Sequence, residues 1–244
     1  MKISRKKLFF AIILSLAIAG ISAFSLAKSN DKKRFVTYIV NPKKQDLKLY
    51  WKNENQQNFG SILNLKNWAE SKNKKLIFAT NGGMYKKDGS PQGLYIENHK
   101  TLAELDTKNA SGNFYLKPNG VFFISDQNNP EICTTESFKP SKNIKFATQS
   151  GPMLVIDGKI HPDFKEGSSN LNIRNGVGIL PDNSIVFAMS KEPINFYDFA
   201  SYFKSLGCKN ALYLDGLVSR TYLPERKWTQ TDGHFGVIIG VTSN

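Results

Sequence analysis

The stretch best suited to chemistry is Asn210-Ala-Leu-Tyr-Leu-Asp-Gly-Leu-Val-Ser219. Ala211 to Leu214 is short, apolar and built of strand formers, as a buried strand is. It stops at Asp215-Gly216, where glycine permits a sharp turn that presents the carboxylate. Two readings stay open from these ten residues. One is a carboxylate at the mouth of a buried strand, placed for acid–base or nucleophilic work. The other is a plain hairpin turn with a solvated Asp. Two more strand-like runs end in Gly-rich polar turns, at Thr80-Asn81-Gly82-Gly83-Met84-Tyr85 and at Gln149-Ser150-Gly151-Pro152. A further polar cluster, Asn172-Ile173-Arg174-Asn175-Gly176, opens a hairpin. Backbone N–H groups exposed at such turns can cradle an anion, and Arg174 has the fork that matches a phosphate. Taken singly, a Gly-Gly pair is a tight bend and an Arg in a hairpin is a surface residue or surface ion pair. Their joint occurrence in one chain is the informative feature.

The elements that must position these residues can be read from periodicity. Strands are predicted at 34–40, 47–51, 75–79, 93–97, 101–105, 112–116, 120–125, 144–148, 153–156, 159–161, 176–180, 184–189, 211–214, 217–222 and 235–242. Ile62, Leu65, Trp68 and Ala69 recur at helical spacing behind a Ser61 cap. Asn195–Leu206 has the strongest helical pattern, with Asn195 as cap, Asp198 three residues on, a stripe of Phe196, Phe199, Ala200 and Phe203, and Gly207 as stop. Many hairpins and at least two helices predict an α+β fold with a large, mostly antiparallel sheet.

Met1–Ala27 has the three regions of a secretory signal: Lys2, Arg5, Lys6 and Lys7, then the apolar run Leu8–Leu26, then small residues at Ser25 and Ala27. The run is also just long enough to span a bilayer, so a cleaved signal peptide and an N-terminal membrane anchor both remain open, with 28–244 forming a single extracytoplasmic domain, periplasmic or secreted. The net charge of +13 includes four positives of this segment. The remaining lysine excess is either solvated surface or an attraction for anionic envelope polymers or phosphate-bearing substrates. Nucleic-acid binding is not expected, because an exported protein rarely meets it and no recognition motif is present. Cys133 and Cys208 form no metal-type spacing, and His99, His161 and His234 are dispersed, so neither metal nor cofactor is expected. An oxidising location would permit the two cysteines to pair.

Several longer motifs carry a family likeness. Asn81-Gly82-Gly83-Met84-Tyr85, Gly112-Asn113-Phe114, Lys117-Pro118-Asn119-Gly120-Val121-Phe122, Ala147–Leu154, Ile173–Gly178 and Leu214-Asp215-Gly216 together resemble the phosphodiester glycosidase domain family. That family includes the lysosomal enzyme that uncovers mannose 6-phosphate by removing an N-acetylglucosamine cap. The chain is most similar to its bacterial branch of exported, exopolysaccharide-associated proteins. The likeness runs from about Lys75 to Tyr222. Where much of the family continues Asp-Gly with further glycines, this chain has Leu217 and Val218, so Asp215, Gly216 and Ser219 are the positions carried over.

The resemblance implies hydrolysis of a sugar-1-phosphodiester in an envelope or extracellular glycan. Asp215 would serve as base for water, as nucleophile or as cation stabiliser. Arg174 and the N–H groups of Gly82, Gly83 and Gly151 would neutralise phosphate. Asn81, Asn119, Gln149 and Ser150 would orient sugar and water, and Asn175, Gly216 and Ser219 complete the substrate-binding set. Two alternatives stand beside this reading. Asp215 and Arg174 could be a buried ion pair that only holds the sheet together, and the domain could be a non-catalytic binder of anionic envelope polysaccharide.

Overall fold

Sixteen strands distribute over three sheets in the computed structural model, which describes residues 33–215 and 218–243. The first sheet runs, in spatial order, through Phe35–Val40 (β1), Ile185–Ser190 (β12), Asn175–Ile179 (β11), Ala211–Asp215 (β13), Met153–Ile156 (β9) and Lys159–Ile160 (β10). The second runs through Trp228–Thr229 (β15), Thr221–Leu223 (β14), Lys75–Asn81 (β3), Ile238–Ser243 (β16) and Asp46–Tyr50 (β2). The third runs through Lys100–Ala103 (β5), Tyr95–Glu97 (β4), Ile144–Ser150 (β8), Gly120–Ser125 (β6) and Pro130–Thr134 (β7). Two α-helices complete the α+β fold, Ile62–Ser71 (α1) and Phe196–Ser205 (α2). The antiparallel hairpins follow the sequence reading. The one large sheet is divided into three.

The division follows from burial on both faces. β12 and β13 are buried at every position. One face of each sheet feeds a shared core, with Phe187, Val177 and Leu212 from the first sheet, Phe78 and Ile239 from the second, and Phe122 and Phe146 from the third. The outer faces need separate cover. α1 supplies it for the second sheet, placing Ile62 and Leu65 against Leu76 and Ile238. α2 supplies it for the first, and its Phe203 ring lies so near β11 that a β-carbon at Gly178 would stand 2.8 Å from it. Both helix starts form as read: Ser61 Oγ accepts from Asn64 N–H at 3.2 Å, and Asn195 Oδ1 accepts from Asp198 N–H at 2.8 Å. Gly207, at φ 84°, ends α2.

Residues 112–116 differ from expectation. They form a 3-10 turn over Asn113–Tyr115, because Gly112 sits at φ 101° and breaks the extended run while Phe114 turns into the interior. The strands β7 and β15 were not foreseen. Both cysteines are free thiols, and burial pushes Cys133 up to about 11 and Cys208 up to about 12. The signal or anchor segment Met1–Ala27 and the residue Gly216 lie outside the described residues. Among the described residues no helix is long and apolar enough to cross a membrane, and no group of His, Cys, Asp or Glu could hold a metal ion.

Candidate active site

Asp215 is the last residue of β13, and a bulge sets its direction. Asn175 of β11 stands opposite Asp215, and Gly176 stands opposite Tyr213, so Leu214 is the extra residue. Bulges re-aim side chains beside functional sites. Leu214 uses the displacement to present its carbonyl to Ser150 Oγ of the third sheet at 2.8 Å. Gly83 is held just as closely: a β-carbon there would stand 2.5 Å from Thr148 Oγ1 and 2.7 Å from the Gln149 carbonyl. The ends of β3, β8, β11 and β13 therefore converge on one corner where the three sheets meet.

Asn175 is the hub of that corner. Its Oδ1 accepts the backbone N–H of Asp215 at 2.9 Å. Its Nδ2 donates to the Asn81 carbonyl at 2.8 Å and lies within reach of Thr80 Oγ1 and Asn81 Oδ1. Asn81 in turn accepts Arg220 N–H on Oδ1 at 2.9 Å and places Nδ2 3.4 Å from Asp215 Oδ2. Thr80 Oγ1 donates to the Arg220 carbonyl, and Ser219 Oγ donates to the Asp215 carbonyl at 2.8 Å. These bonds clamp the backbone at Asp215 and at Arg220. Asn81, Asn175 and Ser219 are buried, and Asp215 keeps 7 % exposure. Such a network of fully used amides rigidifies the carboxylate it surrounds.

Arg174 lies behind this corner. It is fully buried, and its guanidinium donates to the Ile194 carbonyl at 2.7 Å, to Tyr213 Oη at 3.2 Å and to the Asn170 carbonyl at 2.9 Å. Its carbon stands 3.6 Å from the centroid of the Phe196 ring. Burial pulls its pKa down, and Tyr213 pulls it back up. Among the described residues Arg174 thus engages neutral oxygens and a ring face, and no ion pair links it to Asp215. Tyr213 stands between them. Burial raises its pKa, the Arg174 charge lowers it and the Asp215 charge raises it.

The other expected site residues divide into two groups. Ser150 joins the corner through Leu214, as described. Gln149 does not present its amide to a ligand: Oε1 accepts Leu94 N–H and Asp106 N–H, and Nε2 donates to the Asp106 carbonyl. Asn119 donates to the Phe114 carbonyl at 2.9 Å and so shapes the 3-10 turn. Gly82 does not offer its N–H to an anion, because the Val237 carbonyl takes it at 2.7 Å. Gly151 is required by packing: a β-carbon there would stand 2.5 Å from that of Asn119.

Three neighbours were missed. Thr80 and Tyr213 are described above. Tyr85, half-buried, has its pKa raised by burial and then by the Asp215 charge, and its hydroxyl donates to the His234 carbonyl. Tyr85 ends the Asn81-Gly82-Gly83-Met84-Tyr85 motif, which was the available signal.

Fold and site together define an α+β protein that sets a carboxylate in an amide-lined corner between three sheets. Residues 74–238 match the phosphodiester glycosidase family. The chain is 37% identical over 219 residues to the uncharacterized protein YigE of Escherichia coli (strain K12), covering 89% of this chain and 85% of that one. The chain belongs to the phosphodiester glycosidase family, and membership supports a glycosidase-type activity. In fold it is similar to the zebrafish N-acetylglucosamine-1-phosphodiester alpha-N-acetylglucosaminidase catalytic domain auto-inhibited by pro-peptide, at TM-score 0.60 and 13% identity over 86% of this chain and 83% of that one. It is also similar to a hypothetical protein from Synechocystis, at TM-score 0.53 and 13% identity over 86% of this chain and 59% of that one.

Proposed function

We propose that this protein is an exported hydrolase that cleaves the bond between an anomeric carbon and a phosphodiester in an envelope or extracellular glycan. The observation that carries the reading is Asp215 at a strand end, its backbone held by Asn175 and Ser219 and its carboxylate approached by Asn81 Nδ2. Cleavage at an anomeric carbon passes through an oxocarbenium-like transition state, which a fixed carboxylate stabilises. Water adds to the anomeric carbon and gives a proton to the Asp215 carboxylate, the bond between that carbon and the phosphate oxygen breaks, and the phosphate monoester leaves with the bonding pair. Phosphate is a good leaving group, so strong acid assistance of the kind a second carboxyl gives is less necessary. This suits a corner built around the Asp215 carboxylate. Arg174 supports the site through Tyr213 and adds a fixed positive charge behind it.

The test is a panel of sugar-1-phosphodiesters incubated with purified wild-type protein and with Asp215→Asn. Wild type should release free sugar from at least one member. Asp215→Asn should release none while melting like wild type. If wild type releases nothing from any member yet still binds a glycan, the protein is a non-catalytic binder and the hydrolytic reading is wrong.

A further inference from the structure

A cleft of about 610 Å3 lies away from Asp215, between the end of β2, the loop that follows it and the β4–β5 hairpin. Small-ligand sites have volumes of this order. Its walls set the half-buried ring of Trp51, with Tyr50 and Phe59 buried behind it, beside Lys48, Lys52 and Lys100. A pyranose presents a face of C–H groups and a rim of hydroxyls, so an aromatic wall with a polar border suits it.

The cleft's charges are unequal in availability. Glu54 accepts from Trp68 Nε1 at 2.7 Å and pairs with Lys72. Glu97 accepts from Tyr95 Oη at 2.5 Å and from the Trp51 backbone N–H. Lys48 pairs with Asp46 at 2.9 Å. Among the described residues, Lys52 and Lys100 pair with no carboxylate. Lys52 Nζ rests 4.2 Å from the Trp51 ring centroid instead. Two cations thus remain for an incoming anion.

The cleft is linked to the Asp215 corner through β16 and through the loop after β3. Tyr50 and Asn81 both stand opposite Ile238 of β16, one on each side. They are two strand spacings apart, about 10 Å. The loop after β3 bridges the same gap: Tyr85 senses the Asp215 charge, and the Gly89 carbonyl accepts Trp51 Nε1 at 3.0 Å. A second cleft of about 580 Å3 shares Trp51 and Leu102 with the first. It prolongs the wall, with Glu104 and Asp106 balancing Lys86 and Lys108.

We infer that the cleft walled by Trp51, Lys52 and Lys100 is a second glycan subsite, which seats an anionic polysaccharide strand beside the corner where the bond is cut. The substrate is then a polymer carrying carboxylate or phosphate groups, not a free monosaccharide derivative. The choice of a sugar ligand rests on the glycosidase reading above, but the binding test needs no turnover.

Full-length wild type and Lys52→Glu/Lys100→Glu are run in native gels cast with polygalacturonate, dextran or poly-L-glutamate. Release of sugar from a small sugar-1-phosphodiester is measured on the same preparations. Polygalacturonate should retard wild type, while dextran and poly-L-glutamate should not. In the double variant, affinity for polygalacturonate should fall about tenfold, as two screened attractions become repulsions, with release from the small substrate unchanged. Retention of the double variant equal to wild type, no retention of wild type by polygalacturonate, or equal retention by either control polymer overturns the inference. If retention behaves as expected but wild type releases no sugar, the subsite stands and the hydrolytic reading falls.

Discussion

Asn175 fixes the direction of Asp215, and its replacement gives the sharpest test of the corner. Asn175→Ala removes both ends of the amide. The Asp215 N–H loses an acceptor at 2.9 Å, and the Asn81 carbonyl loses a donor at 2.8 Å. Each orphaned buried polar group costs about 1–3 kcal/mol, so the pair costs roughly 2–6 kcal/mol. Domains of this kind hold roughly 5–15 kcal/mol in total, so the variant should still fold. At about 2–4 °C per kcal/mol for a chain of this size, its melting temperature should drop by roughly 4–24 °C. Asn175→Asp separates the amide's chemistry from its shape. It keeps an acceptor for Asp215 N–H but aims a carboxylate oxygen at the Asn81 carbonyl, so it should melt no higher than the Ala variant despite near-identical volume. Thermal unfolding followed by circular dichroism reads both. An Asn175→Asp protein that melts within about 2 °C of wild type would refute the hub, because no orphaned group could then be present.

The remaining predictions touch other parts of the molecule. Phe203→Ala should lower stability by about 3–5 kcal/mol in denaturant titration, since the ring is fully buried against β11; an unchanged midpoint would show the stripe of α2 is not core. Burial raises the Glu97 pKa above 4.5, so the folded state binds more protons than the unfolded chain. The stability this contributes is complete below the unfolded value and is lost as pH rises through the folded one. Glu97→Gln should therefore flatten the fall in denaturation midpoint as pH rises above 4.5, and two parallel curves would show that Glu97 does not titrate abnormally. Tyr213→Phe and Arg174→Lys should each reduce hydrolysis, and the double variant should lose less than the product of the two, with a coupling of about 0.5–3 kcal/mol; independent effects would show that Arg174 does not act through Tyr213. A reporter fused after Leu105 should be active only if it works outside the cytoplasm, and a working cytoplasmic reporter there would rule out export.

How far the sequence could be read depended on whether a signal was local. α2 was legible because Asn195, the phenylalanine stripe and Gly207 all lie within thirteen residues of one another and agree. Residues 112–116 misled because Phe114, Tyr115 and Leu116 favour strands, while the deciding influence is the positive φ of Gly112. The split into three sheets left no local trace, because strands buried on both faces show no alternation to assign a partner. The corner itself was legible, since its motifs end strands that must converge. The duties within it were not. Gln149 spends its amide on Asp106, 43 residues away, and Gly82 spends its N–H on Val237, so turns that read as anion cradles are largely occupied by the fold.

Arg174 shows why the distinction matters. From sequence it is a phosphate fork, and the structure gives that fork protein acceptors at Nε, Nη1 and Nη2. A buried guanidinium served by neutral oxygens and a phenylalanine face costs more desolvation than a surface one. Structure alone gives the sheet little reason to retain such a cation, because an apolar residue would pack there at lower cost. What the cation supplies is a fixed positive field at Tyr213, two residues before Asp215 in the same strand. A field that needs no rearrangement when charge develops is the form of electrostatic assistance a rigid pocket can give. Arg174 is thus better placed to bias the corner from behind than to grip a substrate, and the Tyr213 hydroxyl is the group through which that bias must pass.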